Sequence, residues 1–149
     1  MPKELRSYRR PMLELARVLL VDDDPASRLT LQTVLRAGGY HVDAAASAAE
    51  AVSKLDEEEY ELVLTDLHME SPEAGLKVLA HARIVDYKPA TALITTYRDS
   101  PGRKGPAKRA NQTVLIEPED LPALLTKVAD LVSERATRRV ERGLRHSGD

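Results

Sequence analysis

The 149-residue sequence lacks cysteine, phenylalanine and tryptophan, and none of its apolar runs is long enough to span a bilayer. Without cysteine the chain has no disulfide bond, thiolate metal ligand or cysteine nucleophile. Aromatic residues make up 3% of the chain and are all tyrosine, which argues against a surface that stacks nucleic-acid bases and requires an aliphatic core. The basic amino terminus is not followed by the apolar segment of a secretory signal. We therefore expect a cytoplasmic protein.

The composition is that of a folded domain with a balanced surface. Hydrophobic residues form 42% and charged residues 31% of the chain, which excludes intrinsic disorder as the general state. Lysine and arginine number 22 against 24 acidic residues, so the net charge is −2 and the protein is not a general polyanion binder. A chain of this length buries roughly 70% of its unfolded surface, which is sufficient for one stable core.

Short aliphatic segments alternate with helical patterns along the chain. Asp24 and Ser47 are typical helix caps, and Pro25 and Glu50 occupy the positions that favour a helix start after each of them. Such alternation predicts a doubly wound α/β fold with a five-stranded parallel sheet. The predicted strands are Val18–Val21, Tyr40–Ala45, Glu61–Thr65, Ala92–Ile94 and Val114–Ile116. Two further helices are predicted, one from about Gly75 to Val85 and one from near Glu119.

We divide the chain into an amino-terminal extension (1–16), a folded domain (17–133) and a basic carboxyl-terminal tail (134–149). Arginines in the tail recur at helical spacing on one face. A solvated helix end would explain them, because cations suit the carboxyl end of a helix. A contact for an acidic partner or for phosphates is the alternative. These arginines are Arg135, Arg138, Arg139 and Arg142.

Acidic side chains follow three of the predicted strands. Asp22 and Asp23 come directly after the first strand, Asp66 ends the third, and Glu117 follows the fifth, while Thr95 closes the fourth. In a parallel sheet these positions meet at one edge, where ligands bind. Carboxylates gathered there would repel one another unless a cation lies among them, and oxygen ligands favour Mg²⁺. A strand-end aspartate is more often a cap or turn former, and we assign Asp24 that role.

With Mg²⁺ bound, one carboxylate of this edge could attack a phosphoryl group and form an acyl phosphate. Asp66 is the best candidate, because it stands alone at the end of a central strand. Asp22 and Asp23 would then hold the ion, and the hydroxyl of Thr95 would bind phosphoryl oxygens.

The segments VLLVDDDPASR, LVLTDLHM and ALITTYRD resemble the receiver domain of two-component response regulators over residues 17–132. The resemblance implies a flavodoxin-like sheet with strand order 2-1-3-4-5. It also implies that Asp66 accepts a phosphoryl group from a histidine kinase. Asp22, Asp23, Asp66 and the backbone carbonyl of His68 would bind Mg²⁺, and Thr95 would be the hydroxyl that responds to phosphorylation.

The sequence departs from the family pattern at several positions. Glu117-Pro118 stands where the family has Lys-Pro, which removes a cation from the phosphoryl site and adds like charge. Val114 replaces the aromatic residue of the switch, and Glu70 replaces a proline in the loop after Asp66. A replacement cation could come from Arg98, Arg103 or Lys104. The chain is therefore either a working receiver with unusual kinetics or a degenerate receiver that serves as a docking module independently of phosphorylation.

A haloacid-dehalogenase-type phosphatase is the alternative from another class. Asp22-x-Asp24 after an aliphatic strand fits the first motif of those enzymes, with Asp22 as the nucleophile, and Thr95 could mimic the second. They also need a late cation and a late acid pair, whereas Glu117 is a single acid and Asp66 would have no role.

On the preferred reading the partners are a sensor histidine kinase or phosphotransfer protein and an unidentified downstream protein. A membrane partner is not expected, nucleic-acid binding is disfavoured, and a homodimer is left open. We expect a stand-alone receiver that signals through altered protein contacts. It would not be an enzyme beyond slow self-phosphorylation from small donors and slow dephosphorylation.

Overall fold

The computed structural model describes residues 16–66, 69–71, 73–94, 114–116 and 121–147, with backbone only at 114–116, 121 and 144–147. Five strands form one parallel sheet in the order β2-β1-β3-β4-β5, which confirms the predicted fold class and strand order. The strands are Arg17–Val21 (β1), His41–Ala45 (β2), Leu62–Asp66 (β3), Ala90–Ile94 (β4) and Val114–Ile116 (β5). The helices are Pro25–Ala37 (α1), Ala48–Glu57 (α2), Ala74–Ile84 (α3) and Leu121–Ser147 (α4).

The central strands are covered on both faces. In β1, Leu19 and Val21 belong to the core on the side of α2 and α3, whereas Val18 and Leu20 belong to the core on the side of α1 and α4. All four side chains are 0% exposed. A strand buried on both faces needs apolar residues at consecutive positions, which explains why the sequence shows short unbroken aliphatic runs.

Helix α1 begins as its sequence predicts. Asp24 is the cap, its carboxylate accepts a hydrogen bond from the backbone nitrogen of Ser27 at 2.9 Å, and Pro25 is the first helical residue. Helix α2 begins in the same way, because the Ser47 hydroxyl accepts from the nitrogen of Glu50 at 3.1 Å. The Glu50 carboxylate in turn accepts a hydrogen bond at 2.6 Å from the backbone nitrogen of Ala46, one residue before the cap. These caps determine where the chain turns away from the sheet edge.

The turn after α1 requires glycine at one position. Gly39 has a φ of 101°, in the left-handed region that residues with a Cβ adopt at a cost. We expect Gly39→Ala to lower the free energy of unfolding by about 1–2 kcal/mol, measured by urea denaturation. Gly143→Ala is the matched control. A Cβ at Gly143 meets nothing within 4 Å, and alanine should favour the helix there. If the two changes altered the free energy of unfolding equally, the left-handed conformation of Gly39 would not be the cause of the loss.

Helix α4 spans 27 residues and continues without a break past residue 133. Its first half packs on the sheet through Leu124 and Val128, both 0% exposed. Arg135, one of the arginines that a solvated helix end would have explained, is only 8% exposed. Its guanidinium donates to the carbonyls of Tyr87 and Lys88 at 2.6 and 3.0 Å. The buried face of the helix, apolar in its first half, therefore continues with a buried cation. The proposed domain boundaries themselves remain predictions.

Among the described residues, none of the helices combines the length and the apolar content needed to cross a bilayer.

Candidate functional site

The carboxyl ends of β1 and β3 lie side by side at one edge of the sheet. Val21 of β1 pairs in register with Thr65 of β3. The next residues, Asp22 and Asp66, therefore occupy neighbouring positions where the two strands end. Because the strands are parallel, residues distant in sequence reach the same edge through backbone pairing alone.

Three carboxylates converge at this edge, and we call Asp22, Asp23 and Asp66 the acidic cup. One oxygen from each residue lies within 4.8 Å of an oxygen of the other two. Asp22 is 2% and Asp66 9% exposed, whereas Asp23 is exposed to solvent. Two nearly buried carboxylates thus lie below one at the mouth. Anions this close, partly withdrawn from water, repel one another strongly unless a cation lies between them.

The backbone around β1 orients Asp22 toward the cup. Its nitrogen donates to the carbonyl of Ala45 in β2 at 3.0 Å, and its Oδ1 accepts from the nitrogen of Asp24 at 3.0 Å. The Asp24 carboxylate is instead engaged in capping α1. The phosphatase alternative needs Asp24 to take part in catalysis beside Asp22. That use conflicts with its role as a cap.

A cation that the sequence analysis missed lies next to the cup. Nη1 of Arg28 donates to the backbone carbonyl of Asp22 at 2.9 Å. Arg28 is in the first turns of α1, four residues after its cap, and helical side chains lean toward the amino end of their helix. This spacing is visible in the sequence and could have identified it. The cations proposed from sequence, Arg98, Arg103 and Lys104, lie outside the described residues.

The sequence also matches a family model, the response regulator receiver domain, over residues 18–129. This chain belongs to the response regulator receiver family. The transcriptional regulatory protein GlrR of Escherichia coli K12 is 30% identical over 127 residues, which is 85% of this chain and 28% of that protein. The receiver thus spans little more than a quarter of the length of that regulator.

Solved receivers share the same architecture. A response regulator receiver protein from Sinorhizobium medicae has a TM-score of 0.69 at 26% identity, over 83% of this chain and 98% of that one. The response regulator TrrA of Thermotoga maritima, solved in complex with Mg²⁺ and beryllofluoride, has a TM-score of 0.66 at 28% identity, over 78% and 99% of the two chains. Receivers of this family are signalling modules that interact with sensor histidine kinases and downstream effectors.

The loop that follows Asp66 is tied to helix α2 in this receiver. Both carboxylate oxygens of Glu70 lie within hydrogen-bond distance of the backbone nitrogen of Ala48, at 3.1 and 3.3 Å. An anion at the amino end of a helix is stabilised by the unpaired amides there. In the sequence, Glu70 stands out only because it replaces a proline of the family pattern. The structure assigns it a contact that links the acceptor loop to α2.

Three predicted site residues lie outside the described residues, namely His68, Thr95 and Glu117. For Val114 the structure gives the backbone position in β5 and no side-chain contact. The described part of the site therefore consists of the acidic cup, Arg28 and the Glu70 contact. The roles predicted for the other residues remain predictions.

Proposed function

We propose that this receiver accepts a phosphoryl group on Asp66 from a histidine kinase or phosphotransfer protein, in a reaction that depends on Mg²⁺. The proposal is supported chiefly by one observation, the convergence of the Asp22, Asp23 and Asp66 carboxylates within 4.8 Å. Asp66, at the end of a central strand, is 9% exposed, so its carboxylate is largely shielded from bulk water. Such shielding slows hydrolysis of an acyl phosphate.

The chemistry of the donor set fits a magnesium ion. The cup offers carboxylate oxygens, which are hard ligands, from three residues at one edge of the sheet. Asp22, Asp23 and Asp66 would hold the ion, together with the backbone carbonyl predicted at His68. When bound, Mg²⁺ supplies positive charge that offsets the carboxylates and the incoming phosphoryl oxygens.

In the proposed transfer, an oxygen of the Asp66 carboxylate attacks the phosphorus of a phosphohistidine. The phosphorus–nitrogen bond breaks, and the imidazole nitrogen leaves with the electron pair and is protonated. Asp66 becomes an acyl phosphate. The positive charge of Arg28 lies beside Asp22. It would offset part of the negative charge of the phosphoryl group, which Glu117 cannot neutralise as the lysine of the family would. Thr95 is the proposed hydroxyl that then responds to the phosphoryl group and changes the surface offered to other proteins.

Incubation with acetyl phosphate and Mg²⁺ tests the proposal directly. Intact mass spectrometry should show a species heavier by one phosphoryl group, and peptide mapping after borohydride reduction should place the adduct at Asp66. No adduct together with normal Mg²⁺ binding would favour the docking module, whose function does not depend on phosphorylation. The expectation that this receiver acts alone stays a prediction.

Removing the carboxylate at the mouth of the cup should weaken Mg²⁺ binding. We expect Asp23→Asn to raise the dissociation constant by about tenfold or more, because one ionic ligand is lost where Asp22 and Asp66 remain. Titration calorimetry with MgCl₂ measures the change. Asp24→Asn is the matched control, since it removes the same charge one residue away and asparagine still caps α1. Equal weakening by both variants would show a general charge effect.

A further inference from the structure

The receiver has a second charged concavity at the edge of the sheet opposite the acidic cup. We call it the acidic groove. It is formed by residues 55–59, 81 and 84–87, at the ends of α2 and α3, and has a volume of about 460 Å³. Five of its ten lining residues are acidic, and His81 is the one basic residue among them. The acids are Asp56, Glu57, Glu58, Glu59 and Asp86.

Contacts within the groove leave its field negative. Nε2 of His81 lies 2.7 Å from Oδ1 of Asp56, and Arg17 pairs with Glu58. The hydroxyl of Tyr87 donates to the carbonyl of Leu55 at 2.8 Å and closes one end. Burial raises the pKa of Tyr87 to about 12, and the negative charges of Asp56 and Glu59 add to the shift. The groove is therefore lined mainly by acidic side chains, one of which, Glu58, is paired with Arg17.

A basic patch adjoins the groove. Lys88, Arg139 and Arg142 line a smaller concavity of about 180 Å³ that shares Asp86 and Tyr87 with the acidic groove. Arg139 and Arg142 come from α4, and Lys88 comes from the turn before β4. Burial lowers the pKa of the neighbouring Arg135, and the positive charge of Arg139 lowers it further. Opposite charges thus lie side by side on one surface, with their boundary at Asp86 and Tyr87.

We propose that this surface is the interface of a symmetric homodimer. In a two-fold dimer each surface meets its own copy, so it must be complementary to itself. A two-fold axis near Asp86 and Tyr87 would place the basic patch of each copy over the acidic groove of the other. Ile84 in the groove is 70% exposed, and such an interface would cover this apolar side chain.

A second copy fits this surface better than a basic peptide does. A peptide would neutralise the groove and leave Lys88, Arg139 and Arg142 facing solvent. A partner that satisfies both halves must carry both charges in the reverse arrangement, which this chain does by symmetry. The interface lies at the amino ends of β3 and β4, so it leaves the acidic cup accessible and does not depend on phosphorylation of Asp66.

A charge-swap experiment on the full chain tests the dimer. Sedimentation equilibrium of the wild-type protein should show a dimer that weakens as salt is raised. One variant, Glu57→Lys with Glu59→Lys, leaves three acids against two lysines in the groove. The other, Arg139→Glu with Arg142→Glu, leaves Lys88 against two acids in the patch. Each alone should raise the dissociation constant at least about tenfold. In an equimolar mixture the two variants should associate more tightly than either does alone, because the unchanged basic patch of the first then faces the unchanged acidic groove of the second.

Controls separate the interface from net charge and from folding. Lys77→Glu with Lys127→Glu makes the same charge change as the acidic variant, at exposed positions outside both concavities, and should leave the dimer intact. Thermal melts establish that each variant is folded, and the single changes Glu57→Lys and Arg142→Glu replace any double variant that is not. A wild-type protein that stays monomeric at every concentration, or a mixture that associates no more tightly than either variant alone, would overturn the proposal.

Discussion

Replacing Asp66 by asparagine is expected to abolish the acyl phosphate formed with acetyl phosphate and Mg²⁺. The amide is nearly the same size as the carboxylate, so the packing around this 9% exposed residue should be preserved. It carries no negative charge and is a far weaker nucleophile toward phosphorus. Intact mass spectrometry of wild type and variant under identical conditions measures the loss.

The same variant should have a more stable fold in the absence of metal. Removing one of three carboxylates whose oxygens lie within 4.8 Å relieves repulsion, which we expect to be worth about 1 kcal/mol. A melting temperature at or above that of wild type would show that lost phosphorylation does not reflect unfolding. An adduct that persists in Asp66→Asn would place the acceptor elsewhere and refute the proposed role.

Replacing Arg135 by alanine is expected to lower the free energy of unfolding by about 2–4 kcal/mol. The change removes two hydrogen bonds from a cation and leaves the carbonyls of Tyr87 and Lys88 without that donor at a site where Arg135 is 8% exposed. Lys88 has a φ of 44°, and its turn depends on nearby contacts to hold that conformation. Urea denaturation monitored by circular dichroism measures the loss.

Arg138→Ala is the control for this experiment. Arg138 is exposed on the same helix three residues away, and its replacement should change stability by less than about 0.5 kcal/mol. If both variants unfold equally easily, the effect comes from charge or helix propensity in α4. The buried contact with the turn before β4 would then contribute little.

The architecture followed from local signals because each one acts over a few residues. The unbroken run from Val18 to Val21 predicted a strand buried on both faces, and Asp24 and Ser47 predicted two helix starts that the structure confirms. Strand ends were shifted by one or two residues, as at Ala90, where β4 begins before its aliphatic centre. Pairing with β3 sets that boundary, because Ala90 pairs with Leu62. The sequence of one segment does not show in which register it pairs with its neighbour.

The candidate site was predictable where it depends on strand ends. Asp22, Asp23 and Asp66 were singled out because parallel strands deliver their carboxyl ends to one edge, and the structure brings these three together. The contacts of Arg28 and Glu70 were not predicted. Arg28 donates a hydrogen bond to the backbone of Asp22, and Glu70 accepts one from the backbone of Ala48. Both contacts depend on how the helix and the loop pack against other segments.

The order of residues along the chain by itself determined the α/β fold, the helix caps and the three acids at the strand ends, because these depend on contacts within a turn or on strand direction. Tertiary structure decided which long side chains are buried. Arg135 and Arg142 have the same residue type and share a helix, yet Arg135 lies under the turn before β4 while Arg142 faces solvent beside the acidic groove. The difference arises because the carbonyls of the turn at Tyr87 and Lys88 accept hydrogen bonds from Arg135, and the packing of α4 on the sheet decides which of its residues lies under that turn.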